Sequence, residues 1–389
     1  MKICYLDNAA TTRVHPRVVS RMTASFKTDY FNPSAMYQPG LAAQKTVAQA
    51  RQTIADVIGA KRGEMIFTSG GSEGDSLLIR GIVDNVRPAV FKQAKIVTSA
   101  IEHPAVRDVF RDYEQRGMEV VWLPVNAEGL VDLDALEKAV DARTILVSVI
   151  GVHNELGVIQ PLAKMARIIK AKNPDCFFHS DFVQGFMKMP MDVRQTAVDG
   201  LTLCAHKING PKGIGAVYLR EGRRIRPMIL GGGQENGLRS GTENVQGIVG
   251  FESAVKVWQD PAVMARIGEY QQYVAQTLTE ALDDVTILGP AATADRCPAV
   301  MSAAIKRIRG EVLLHAAEAK GVYISTGSAC STHKKEKHGV QKAIGLGRDA
   351  ADGTIRISFS ALTNWEEVKT GTAVIVAEVQ KLRKLMRRR

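Results

Sequence analysis

The sequence predicts an α/β protein: a large domain built on a mostly parallel sheet, closed by a smaller α+β domain. Three observations carry this. Helical apolar spacing alternates with short β-branched runs over roughly the first 255 residues. Polar and titratable residues collect where those runs end. Beyond that point the alternation stops and a different pattern begins. The length, 389 residues, leaves ample chain for a core.

In chain order, "LAAQKTVAQARQTIADVIGA" (41–60) has helical spacing and stops at Gly59. "EMIFTS" and "AKIVTS" are short buried strands. "AVRDVFRDYEQRG" is a helix ended by Gly117, and "MEVVWLPV" the strand after it. "LDALEKAV" is a helix and "TILVSVIG" a strand. "PLAKMARIIKAKNP" is a helix begun by Pro161, followed by the strand "CFFHSD". "VDGLTL" and "IGAVYL" flank the turn of "LCAHKINGPKG". After the change of pattern, a long helix (about 260–283) precedes "AVMSAAI", a helix from about 310, "VYISTGSAC" and "TIRISFS".

Composition narrows the class. Hydrophobic residues make up 45% and charged ones 23%, as in ordinary globular proteins. No apolar run reaches the ~18 residues of a membrane span, and "MKICYLDNAATT" is too short for a signal-peptide core. A cytoplasmic protein is expected. The five cysteines are scattered and never spaced C-x-x-C, so neither a disulfide framework nor a zinc site is indicated. The net charge is +11, part of it in "HKKEKH" and the terminal "KLRKLMRRR". Without an aromatic-rich basic stripe this reads as a solvated helix end, and direct nucleic-acid binding is not expected.

The chemistry gathers at strand ends, where open α/β sheets bind their ligands. "EMIFTS" leads into Gly71 and Ser72 at a helix start, whose free N–H groups suit a phosphate. "AKIVTS" leads to His103, "TILVSVIG" to Asn154, "CFFHS" to Asp181 and Gln184, and "VDGLTLCA" to His206 and Lys207. Singly, a Gly-Gly-Ser is a turn and a lone His a packed ring. Five successive strand ends that each deliver such a group argue for a site. Pyridoxal phosphate accounts for the set: Lys207 supplies an amine for a Schiff base, Asp181 a carboxylate for the pyridine nitrogen, and Ser72 with its helix start the phosphate seat. His103 would stack on the ring, and Asn154 and Gln184 would reach its phenolic oxygen. From spacing alone, a structural lysine in the Gly-Pro-Lys-Gly turn reads equally well. Partial desolvation near other cations would lower the Lys207 pKa and make it a nucleophile.

Eight segments resemble one family: "YLDNAATT", "SGGSE", "EHPAV", "NELGVIQPL", "HSDFVQG", "AHKINGPKGIGAVYLR", "GGGQENGLRSGTENV" and "STGSACST". In order, and over nearly the whole chain, they resemble the cysteine desulfurases of the nitrogen-fixation and iron–sulfur-assembly branch, which are class V aminotransferase-like, fold-type I pyridoxal-phosphate enzymes. The resemblance implies a large cofactor domain over 16–257, with 1–15 and 258–389 forming a small domain that carries a cysteine loop at about 325–340. It implies conversion of L-cysteine to L-alanine, with a persulfide formed on Cys330 and Lys207 as the Schiff-base lysine. His103, Asn154, Asp181 and Gln184 match the ring contacts, and His103 also counts with Cys330 and Lys207 as catalytic. Gly71, Ser72, Cys204 and His206 match the phosphate seat, and Thr242 reaches it across a homodimer interface. Arg356, with Asn154 and Asn32, matches the substrate contacts; a planar guanidinium suits a carboxylate. The implied partner is a protein sulfur acceptor, either an iron–sulfur scaffold or a tRNA-thiolation protein.

The chain departs from the family pattern at Cys204 (usually Ser), Ser72 (usually Thr), Asp75, His153 (usually Asn) and Tyr37 (often His). A selenocysteine lyase or another β-lyase on the same fold is an alternative, and so is an aminotransferase. A further alternative is a catalytically diverged binding protein of sulfur assembly.

Overall fold

The computed structural model describes residues 3–291, 293–327 and 339–386. Cys330 and most of the expected cysteine loop lie outside the described residues.

Thirteen strands are described. They are β1 (Cys4–Tyr5), β2 (Met65–Thr68), β3 (Lys95–Ser99), β4 (Glu119–Leu123), β5 (Thr144–Ser148), β6 (Phe177–Asp181), β7 (Gly200–Cys204), β8 (Gly215–Leu219), β9 (Val285–Ile287), β10 (Val300–Ile305), β11 (Val322–Tyr323), β12 (Ser325–Thr326) and β13 (Thr354–Ser358). A seven-stranded sheet runs in the order β2-β8-β7-β6-β5-β3-β4. β8 is antiparallel to both neighbours, and the other strands share one direction.

Successive side chains on a strand point to opposite faces, and both faces are covered. Met65 and Phe67 enter one apolar core while Ile66 enters the other. Val97, Val147 and Phe178 face the first core; Ile96, Leu146 and Phe177 face the second. Helices Gly71–Val83 and Pro104–Gln115 cover the second face with Leu77, Leu78, Val106 and Phe110. Helices Gln38–Asp56 and Val245–Trp258 cover the first with Val47, Ile54, Ile248 and Phe251. The continuous apolar runs of a parallel sheet follow from this double burial.

Helix ends follow local signals. Gly59 and Gly117 take φ of 68° and 88° just past their helices, a conformation favourable to glycine. Pro161 is the N-cap of Leu162–Lys172, one place ahead of the expected first helical position. The basic terminal stretch through Met386 continues the helix Trp365–Met386.

A second, four-stranded sheet has the order β12-β13-β10-β9. The N-terminal strand joins this end of the chain: β1 pairs in parallel with β11. Ser358 donates its N–H to Leu6 O at 2.8 Å. The chain then crosses back, and Thr12 N–H donates to His206 O at 3.0 Å. Residues 7–12 thus run along the carboxyl ends of the large sheet.

The turn after β5 is pinned to β10. Gly157 has φ 68°, and a Cβ there would lie 2.4 Å from Val300 O. Gly157→Ala is expected to lower the unfolding free energy by about 1–3 kcal/mol, the cost of a strained left-handed residue. Denaturant unfolding at constant m-value checks this.

Candidate active site

The carboxyl ends of the parallel strands open into a cavity of about 410 Å³. Its lining includes Gly71, Ser72, His103, Asn154, Asp181, Gln184, Cys204, His206, Lys207 and Arg356. Residues separated by hundreds of positions in the chain therefore share one wall. Asn32 and Thr242 lie elsewhere and are exposed.

Asp181 ends β6 with 5% of its surface exposed. Burial raises its pKa, while His103 and Lys207 pull it down. Lys207 follows β7. Its Nζ donates to the carbonyls of Ala9 and Ala10, both at 2.6 Å. The N-terminal segment thereby positions the amine, which explains why a lysine tolerates this turn. His103 caps the helix Pro104–Gln115: its Nδ1 accepts from Ala105 N–H at 3.2 Å. Burial lowers its pKa, so the neutral ring carries its proton on Nε2.

The helix Gly71–Val83 begins without a side-chain cap. Its first-turn N–H groups and positive dipole end are open to an anion. Gly215 packs beneath this turn; a Cβ there would lie 2.8 Å from the Gly70 Cα. Around the same seat, burial pushes the Cys204 thiol up to about 11 and the His206 imidazole down to about 4. Both are neutral near pH 7, and the thiol is a weaker donor than a hydroxyl.

Arg356, on β13, is 5% exposed. It donates to Asn154 O at 3.1 Å and pairs with Asp7 Oδ1 at 2.7 Å. Its buried Nε has no hydrogen-bond partner. An orphaned guanidinium N–H in a cavity marks a place for an anionic ligand group.

Several lining groups escaped the sequence reading. Asp7, Ala9, Ala10 and Ser325 line the cavity; the only signal was the polar run "DNAATT" after a strand-like start. Asp75 is 1% exposed, and its Oδ1 has no hydrogen-bond partner. Its carboxyl is pushed well up by burial and then by Asp181. His179 Nε2 lies 3.6 Å from it, yet burial lowers that imidazole to about 3. With the imidazole neutral near pH 7, the contact is not an ion pair. The buried His153 accepts from the N–H groups of Glu155 and Leu156 at 3.2 and 3.1 Å, so this departure serves the turn.

Pyridoxal phosphate fits these residues: an amine on a short tether, a buried carboxylate at a strand end, an uncapped helix start and a donor-rich rim. Pyridoxal phosphate, when bound, would supply an electron sink at the substrate α-carbon.

The profile of the aminotransferase class-V family matches residues 4–370. A cysteine desulfurase IscS of Dictyoglomus turgidum is 37% identical over 381 residues, covering 97% of this chain and 95% of its own length. Among solved structures, a NifS-like protein superposes with a TM-score of 0.89 at 34% identity, covering 97% of this chain and 100% of its own. A structure of SspA in complex with cysteine gives 0.80 at 30% identity, covering 92% and 99%.

Glu102 is buried beside Ile150 and His103, which line the cavity. Its Oε1 accepts from Ser99 Oγ–H and from Ile150 N–H. Burial raises its pKa to about 8. The folded state therefore holds a proton that the unfolded state releases, so stability falls as pH rises from about 4.5 towards 8. Glu102→Gln mimics the protonated acid and should gain on wild type across that window, by up to about 1.4 kcal/mol per pH unit. Denaturant unfolding of cofactor-free protein at several pH values checks it.

Proposed function

The chain belongs to the aminotransferase class-V family, whose members use pyridoxal phosphate, and from this premise we propose that it is a cysteine desulfurase whose Cys330 receives the sulfur. L-cysteine and the Cys330 thiol become L-alanine and a Cys330 persulfide; the substrate's C–S bond breaks and an S–S bond forms. The observation that carries this reading is the meeting of Lys207, Asp181, the uncapped helix start and Arg356 in one cavity. Support also comes from relatives named cysteine desulfurases over nearly the whole chain and from the neighbour solved with cysteine.

Each residue has a physical task in this reading. Asp181 keeps a proton on the pyridine nitrogen, since a buried carboxylate is ionised most readily beside a cation. The Lys207 amine would take up and return the substrate α-proton. The Arg356 fork exchanges Asp7 for the substrate carboxylate, with Asn154 and Asn32 as further substrate contacts. Gly71, Ser72, Cys204 and His206 seat the phosphate, and His103 and Gln184 hold the ring. Thr242, exposed in the single chain, acts across a homodimer interface. Cys330 attacks the substrate sulfur as thiolate; the lysines after it at 334, 335 and 337 suit an acidic acceptor protein of iron–sulfur assembly or tRNA thiolation. We also read 16–257 as the cofactor domain and 1–15 with 258–389 as the unit bearing the cysteine loop. Among the described residues no helix is long and apolar enough to cross a membrane; a cytoplasmic location accords with this.

Purified protein given L-cysteine should release alanine and carry a persulfide. Cys330→Ser and Lys207→Ala should each abolish both; sulfide and pyruvate released from L-cysteine by Cys330→Ser at the wild-type rate would instead favour a β-lyase. Arg356→Lys should raise KM for L-cysteine about ten- to hundredfold, the loss of one charge-assisted contact. An unchanged KM removes Arg356 from substrate binding.

A further inference from the structure

A second lysine, Lys188, is buried behind the cavity wall. It follows Gln184 by four residues, and 4% of its surface is exposed. Its Nζ donates to Gln184 Oε1 at 2.8 Å. Gln184 Nε2 in turn donates to Ala9 O at 2.9 Å. That same carbonyl accepts from Lys207 Nζ at 2.6 Å. The two lysines are thus joined through one amide and one carbonyl.

An ammonium offers donors and no acceptor. The Gln184 atom facing Lys188 must therefore be the carbonyl oxygen, and the amide cannot flip. Its nitrogen then carries two N–H bonds. One is committed to Ala9 O, and the other remains for the cavity that Gln184 lines. With an apolar side chain at 188, the amide would lose this restraint.

The surroundings make the charge costly. On its outer side Lys188 borders an apolar hollow with Phe182, Phe186, Met187, Met189 and Met191. Burial lowers its pKa to about 8. Of the charged and titratable groups facing it, Lys207 and Arg356 push the same way, while the thiols Cys297 and Cys204 oppose. A buried cation kept without a carboxylate among these neighbours calls for a task beyond packing.

We propose that Lys188 is a positioning residue of the cofactor cavity: its ammonium locks Gln184 so that an N–H, never a carbonyl oxygen, meets the cofactor's phenolic oxygen. The proposal rests on the reading that the cavity holds pyridoxal phosphate. Lys188 touches neither cofactor nor substrate and acts through Gln184.

The test is a pH titration of the visible absorbance of cofactor-loaded protein. An anionic phenolic oxygen that loses a fixed donor becomes more basic. Lys188→Met should therefore move the titration midpoint upward by about one unit, the size of one charge-assisted hydrogen bond. Gln184→Met should move it similarly, and the double variant should move it no further, because the two residues act as one unit. Lys188→Arg should restore the wild-type midpoint. Lys188→Leu, also without a donor, serves if the Met variant does not fold. An unchanged midpoint in a folded neutral variant, or shifts that add in the double variant, overturns the proposal. Wild-type protein that takes up no cofactor overturns the reading of the cavity, and this proposal with it.

Discussion

A carboxylate buried at the end of a central strand is the constraint on which the site depends. Asp181 sits where solvent cannot stabilise its charge, so its ionisation waits on cations supplied by other parts of the chain. Lys207, from the turn after β7, is the nearby cation, and the His103 ring at the start of the helix after β3 adds a lowering influence of its own. The parallel arrangement makes this economical: every strand but β8 ends at the same edge. A polar side chain placed just beyond a strand therefore reaches the common cavity with little extra backbone.

The same low-polarity setting decides which groups carry charge. His153, His179 and His206 are all driven well below neutrality by burial, and Cys204 is driven up. These groups contribute hydrogen bonds and shape, not charge. At Asp75, burial and then repulsion from Asp181 push the carboxyl well up. Neutral acceptors also hold the amines: Lys207 donates to two backbone carbonyls and Lys188 to an amide oxygen. In a cavity that must receive an anionic phosphate and a substrate carboxylate, such holding leaves positive charge available to the ligand.

Much of this was legible in the sequence because it obeys local rules. The strands ending in Ser99, Ser148, Asp181 and Cys204 appear as apolar runs bounded by polar residues, and those boundaries delivered His103, Asn154, Asp181, Gln184, His206 and Lys207. Gly59 and Gly117 announced their helix ends by the conformations they adopt. What escaped is non-local or lacks a periodic signal. The helix Val245–Trp258 is buried on nearly every side, which erases the amphipathic spacing that reveals a helix. The return of residues 7–12 across the sheet ends depends on β1 pairing with β11, more than three hundred residues away. Lys188 reads as an ordinary charge within a methionine-rich stretch, and only burial sets it apart. Asp75 stood out as an odd residue among the departures, but its electrostatic interaction with Asp181 needed the helix to be laid across the sheet. Asn32 and Thr242 came from family likeness alone, and the single chain leaves both exposed.

The central claim is that the half-buried Lys207 amine, and not the buried Lys188, carries the cofactor. Borohydride treatment of cofactor-loaded protein, followed by peptide mapping, would fix the label where it is bound. The account predicts a pyridoxyl group on Lys207 and none on Lys188. Label on Lys188, or a protein that binds cofactor yet retains an unmodified Lys207, would contradict it.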